Sequence, residues 1–312
     1  MKFKFLDKAR KIKWNSKFRN IFIAGILILA VLLIAAAGVL SWGIYKLAWQ
    51  GPFIEQILSI IPLPAAKVNG AYITYPEFLQ NLKPAIKFYT KQKEAGFGNI
   101  PTPEQLKKIV LEDRLVVNIL VKQIAKRYNI TVSPAEIEAK TQEIIQNKGS
   151  QAEVEKFLQD YYGLSLEEYK KIFIVPNLYY DQTSGAVIDD ENINGAAKNK
   201  IQEALSKLRD GEAFEEAAKT YSEDPLATNN ASQENFLRGE LPKDIEDQLF
   251  AMSAGEFTDV LTLPNSYAIL KLEQKDEDKG VLTVRKIIVK IKILDDLIQA
   301  EKQKSKIEIY AY

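Results

Sequence analysis

The 312-residue chain contains no cysteine and no histidine, and only two methionines and three tryptophans. The first two absences exclude much chemistry. Without cysteine there are no disulfides, so stability must come from packing, and neither a thiol nucleophile nor a lipid-modified cysteine anchor is available. Without histidine there is no Ser-His-Asp or Cys-His system and no histidine-based zinc site. Carboxylates, lysine, tyrosine and serine remain as candidate catalytic groups. No Asp/Asn/Gly loop has calcium-site spacing. The nearest, Asp276 to Gly280, lacks a later ligating Glu and reads as a solvated turn. No metal and no cofactor is expected.

Charge is also missing from one long stretch. Between Arg19 and Lys46 lie 26 uncharged residues. As a helix they would reach about 39 Å, against a hydrocarbon core of roughly 30 Å. The pattern predicts a transmembrane helix over 21–49 in contact with the lipid bilayer. Trp42, Tyr45 and Trp49 would be anchors at the far interface. A cleaved signal peptide would carry an apolar region of roughly 7–15 residues and a small-residue cleavage site. Here the run is longer and Trp42, Ile44 and Tyr45 follow the Ala35–Ala37 stretch, so a retained single-pass anchor in the cell membrane is the reading. Residues 1–20 hold eight Lys or Arg against Asp7, a net +7, which places that segment in the cytoplasm and residues 50–312 outside it. The remaining residues then carry −6 of the total +1, which argues against a nucleic-acid partner.

Beyond a proline-closed juxtamembrane linker at 50–66, residues 67–182 read as a helical domain. A hairpin is expected around Asn69-Gly70, a strong turn dipeptide. One start signal then recurs four times, at Thr74/Glu77, Thr102/Gln105, Ser133/Glu136 and Ser165/Glu168. Each places a capping hydroxyl three residues before Glu or Gln, with Pro in the first turn of three of them. The second helix should bury Leu106, Ile109, Val110, Val116, Val117, Leu120 and Ile124 at helical spacing. From 183 to 290 the pattern becomes mixed. Helices at 191–209 and 213–221 are broken by Gly211, another helix covers 243–252, and strands are expected at 257–263, 267–273 and 281–290. A helix near 294–304 and a strand at 306–310 complete a C-terminal segment, 291–312.

These residues carry a family likeness. Val68 to Phe78, VNGAYITYPEF, followed by amphipathic helices, resembles the N-terminal chaperone domain of SurA- and PrsA-type foldases. Gly211 to Pro225, Phe236 to Leu241 and Gln248 to Leu261 resemble a parvulin (PpiC-type) peptidyl-prolyl isomerase domain. Such domains open with a strand like V-R-H-I-L-V-K, which here appears late, as Val284 to Lys290. The resemblance therefore implies a membrane-anchored α+β protein with one N-terminal transmembrane helix, a mainly helical SurA-N-like chaperone domain and a parvulin-like α/β domain. The first strand of that last domain would be supplied from the C-terminal side, and 291–312 would return to the chaperone domain, with Ile307 to Tyr310 pairing with Lys67 to Thr74.

The same resemblance implies a site. One family histidine position is Lys286 and the other is Ala268, while the family's glycine-rich loop is replaced by Ala231 to Asn235. Asp224 stands where the family has Cys or Asp, so Asp224 and Lys286 are the candidate catalytic residues. Phe236, Leu241, Ile245 and Met252 match the proline cup. Ordinary core packing stays open for Ile245 and Met252, and a turn-forming role before Pro225 stays open for Asp224. A client cleft between the two bodies would be lined by Tyr72, Phe78, Phe88 and Tyr89. The implied function is a folding factor that binds unfolded or newly translocated polypeptide, with weak or absent prolyl isomerisation. The alternative is a non-enzymatic scaffold or adaptor of a membrane complex. A carboxylate hydrolase finds no paired motif.

Overall fold

The computed structural model describes residues 16–46, 49, 51–58, 61, 63–225 and 233–311. It shows a mainly helical α+β protein in which α1 (Ser16–Lys46) and the short α2 (Pro52–Leu58) precede two bodies. The basic segment ahead of residue 16 lies outside the described residues.

The expected transmembrane helix over 21–49 is corrected. Among the described residues no helix is long and apolar enough to cross a membrane. Of the aromatic groups read as interface anchors, Tyr45 and Trp49 have protein partners, while Trp42 is 60% exposed. Gly43 and Ile44 are buried, and the Tyr45 hydroxyl donates to the Pro64 carbonyl at 2.6 Å. The Tyr45 ring packs against Tyr75 and Tyr310, and the Trp49 N–H donates back to Gly43 O. The end of α1 is thereby part of the folded body.

The first body starts with β1 (Pro64–Val68) and β2 (Ala71–Thr74), joined through Asn69 and Gly70 with φ of 50° and 91°. Two consecutive positive φ values are what a tight primed hairpin turn requires. The helices α3 (Tyr75–Glu94), α4 (Pro103–Lys108), α5 (Val117–Arg127), α6 (Pro134–Lys148), α7 (Gln151–Tyr161), α8 (Leu166–Tyr169) and α9 (Val175–Ile188) follow. All four anticipated caps form, three of them as reciprocal boxes, and Ser150 adds an unanticipated fifth by accepting from the Glu153 N–H. Between α4 and α5 the helix widens into a π-helical stretch, Ile109–Val116. Its i→i+5 hydrogen bonds shift the angular phase. Ile109 consequently turns outward at 39% exposure, while Leu111 and Leu115 take places in the core.

The second body comprises α10 (Glu191–Arg209), α11 (Phe214–Tyr221), β3 (Glu234–Leu237), α12 (Lys243–Ala251), β4 (Leu261–Leu263), β5 (Ser266–Asp276) and β6 (Val281–Lys290). Its antiparallel sheet runs in the order β3-β6-β5-β4, so the late strand enters between two earlier ones. Tyr267, Ile269, Ile287 and Val289 face α10 and α11, whereas Ala268, Leu270, Leu272, Leu282 and Val284 face α12. The chain then returns to the first body through α13 (Leu294–Lys304) and β7 (Ile307–Ile309). β7 pairs with β1 and not with β2, and Leu294 and Ile298 enter the same core as Leu120 and Ile124.

Because Ile298 is 3% exposed in that core, Ile298→Ala should lower the stability of the first body by about 2–5 kcal/mol. Urea unfolding followed by far-UV circular dichroism checks this, and an unchanged midpoint would mean that the C-terminal helix contributes no core.

Candidate functional site

On the sheet face turned toward α12 lies a cleft of about 420 Å³. Its floor follows from strand alternation. Leu270 on β5 and Val284, Lys286 and Ile288 on β6 share one face, with Leu270 directly opposite Lys286 in the ladder. Phe236 reaches the same space from β3, where it pairs with Leu282, and Leu241, just ahead of α12, and Ile245, within it, close it. The result is an apolar cup.

The polar wall is built by the segment that follows α11. Beyond Val284 the outer edge of β6 has no β3 partner, and residues 222–224 cover it. The Ile288 N–H donates to Ser222 Oγ at 3.1 Å, the Glu223 N–H donates to Ile288 O at 2.6 Å, and the Lys290 N–H donates to the Glu223 carboxylate at 2.9 Å. These bonds deliver Asp224, whose side chain is only 9% exposed, to the rim of the cleft. There the Lys286 ammonium lies 3.3 Å from Asp224 Oδ2 and donates to Glu234 Oε1 at 2.6 Å. Burial disfavours the charge on Lys286, but the Glu234 and Asp224 carboxylates outweigh it and hold its pKa above the ordinary value. The cleft thus joins an apolar cup to an ammonium fixed between two carboxylates. Such an arrangement can seat a small ring and offer a charged donor to a carbonyl. Among the described residues it contains no hydroxyl nucleophile paired with a base.

The fold brings five of the six predicted site residues together: Asp224, Lys286, Phe236, Leu241 and Ile245 line the cleft. Met252 does not. As the residue that caps α12 it lies in a separate shallow groove with Gln248, Glu256 and Phe257. Ala268 is fully buried in the core behind the cleft. Of the segment read as a substituted loop, Ala231 and Ser232 lie outside the described residues, while Glu234 and Asn235 open β3. Glu234 was missed for that reason. Leu270, Val284 and Ile288 were legible as alternating strand positions, but only the register shows which face they share.

The aromatic groups assigned to a client cleft separate. Phe78 is 3% exposed and belongs to the first core, and Tyr72 stands on β2 under the Lys67 ammonium. Phe88 stacks on Tyr162 at 5.1 Å and contacts Tyr89 edge-on. Tyr162 continues the string to Phe157 and Phe173, and the Arg114 guanidinium covers Phe173 at 4.2 Å. This string joins α3, α7 and the helix around 170.

The family model for a SurA-like N-terminal domain matches residues 13–172, and that for a PPIC-type PPIASE domain matches 182–274. The first covers more than half of the chain. The chain belongs to the SurA/PrsA-type foldases. Chaperone SurA of Nitrosospira multiformis is 26% identical over 272 residues, covering 72% of this chain and 60% of that protein. Foldase protein PrsA of Caldanaerobacter subterraneus subsp. tengcongensis is 29% identical over 239 residues, covering 70% of this chain and 77% of the relative. A crystal structure of the peptidylprolyl isomerase PrsA from Bacillus anthracis aligns with 60% of this foldase and 84% of its own chain, at 19% identity and a TM-score of 0.21. The isomerase-type match stops at 274, before β6 begins. In this foldase the strand bearing Lys286 is therefore outside the matched stretch, although it lies inside the sheet.

Because its folded pKa is raised, Lys286 contributes stability below its unfolded value of 10.5 and loses that contribution as pH rises through the folded value. Lys286→Met should therefore destabilise the second body at pH 7, by about 1–3 kcal/mol after allowance for its partial exposure. The gap to wild type should narrow above pH 10.5. Denaturant titrations at a series of pH values measure this, and a gap that stays constant into the alkaline range would refute the ion cluster.

Proposed function

We propose that this foldase works outside the cytoplasm on unfolded polypeptide, seats exposed prolyl residues in the cleft of its second body, and isomerises X-Pro bonds only weakly. The observation that carries the reading is the apolar cup of Phe236, Leu241 and Ile245 beside the Asp224–Lys286–Glu234 cluster. Prolyl isomerisation breaks no bond. It requires the amide to twist across a barrier of roughly 18–20 kcal/mol, and only contacts stronger in the twisted state than in the planar one accelerate it. A proline ring held in the cup would be a fixed end for that twist. The Lys286 ammonium, a charged donor lining the cleft, would face the prolyl carbonyl, with Asp224 orienting it. No imidazole stands on this wall, and Ala268 brings no polar group to it, which is the reason for expecting modest rates.

Longer client segments would lie on the aromatic string from Phe88 to Phe173, where stacked rings present apolar area with polar edges. Placement outside the cytoplasm rests on the exported habit implied by the family resemblance. A non-enzymatic scaffold is the second reading, favoured by lysine and alanine standing at the two family histidine positions.

The test compares a peptide containing one proline with its alanine counterpart, by chemical-shift titration of the full chain and exchange spectroscopy of the peptide. The proline peptide should bind more tightly, and Phe236→Ala should weaken it about tenfold or more. Slow but measurable isomerisation supports the foldase reading. Binding with no isomerisation, together with suppression of client aggregation, would reduce it to a holdase. Absence of both activities would leave the scaffold.

A further inference from the structure

The chain passes between its two bodies twice, outward where α9 ends and α10 begins, and back between β6 and α13. One side chain ties both crossings. Asn194, in the first turn of α10 and only 2% exposed, donates to the carbonyls of Val187 at 3.0 Å and Ile188 at 3.3 Å on the outward crossing. On the return crossing its amide nitrogen donates to Lys292 O at 3.0 Å, while its Oδ1 accepts from the Lys292 N–H at 2.8 Å. The amide thus closes a two-bond bridge with one backbone residue 98 positions away, as a neighbouring strand would. Around it the two cores come close, with Val187 and Leu294 in the first and Ile188 and Ile293 packed against the second.

We propose that Asn194 is an interdomain latch that holds the prolyl cleft in one orientation relative to the aromatic surface of the helical body. A buried polar side chain that makes all its bonds to backbone, across two separate connections, specifies geometry in a way that an apolar residue of equal volume cannot. Neither body needs it for its own sheet. Those ladders are complete without it, and α10 is anchored to the sheet by Ile201, Leu205 and Leu208. The consequence for client handling rests on the foldase reading above, whereas the mechanical claim does not.

The chain's lack of cysteine allows clean double labelling. Exposed Lys171 and Asp278, one in each body, are replaced by cysteine and the distance distribution is measured by double electron–electron resonance in the full chain. Asn194→Ala should broaden or split this distribution. Asn194→Asp, which keeps the acceptor for Lys292 N–H but turns a carboxylate toward three carbonyls, should do the same. The amide of Lys292 should exchange with solvent about tenfold faster or more, while those of Ile287 and Val289 stay protected. Either an unchanged distribution in a folded variant, or loss of protection throughout β6 in both variants, would overturn the latch and make Asn194 an ordinary core residue. On the functional side, suppression of client aggregation should fall while binding of a short prolyl peptide holds. If the wild type binds no such peptide, the foldase reading fails and the distance measurement still decides the latch.

Discussion

The second body depends on the insertion of β6 between β3 and β5. That one strand supplies Ile287 and Val289 to the core under α10 and α11, and Leu282 and Val284 to the core under α12. Because side chains alternate along a strand, its register decides which residues reach the cleft. A slip by one residue would bury Lys286 beneath α10 and turn Ile287 toward the rim. The long ladder with β5 holds that register, including the bulge between Leu272 and Gln274.

The insertion also explains how the cleft acquires its polar wall. β3 pairs with β6 only as far as Val284, so the strand would otherwise carry an open edge at 286–290. Unpaired backbone groups at such an edge are costly when shielded from water and adhesive when exposed. Residues 222–224 satisfy them, and in doing so bring Asp224 within an ion-pair distance of Lys286. The site is thus a by-product of closing a sheet edge. Its electrostatics stay local, because each charge at its centre already faces an opposite one.

The two bodies are linked by topology as much as by contact. The C-terminal helix and strand complete the first core after the second body has been built, so the second body is in effect an insertion between α9 and α13. Two crossings restrict rotation more than one linker would. The buried amide of Asn194 lies where they meet.

Much of this was legible in the residues. Local signals are strong where a few neighbouring side chains decide the outcome, as in the four caps, the Asn69-Gly70 turn and the stop at Gly211. The composition settled which catalytic groups are missing, and the placing of 284–290 suggested its sheet. Four things needed the tertiary structure. The π-helical stretch moved Ile109 out and Leu115 in, because helical period is not fixed when packing favours a wider turn. Met252 and Phe78 fell outside their expected clefts, since apolar character says that a residue is buried but not where. Glu234 joined Lys286 only through pairing across 52 positions, and the end of α1 docked on the hairpin through Tyr45. Sequence alone determined the local elements and the absent chemistry, because both depend on residue identity and near neighbours. Register, site assembly and the disposition of the two bodies were decided by contacts between distant segments, which no local pattern encodes.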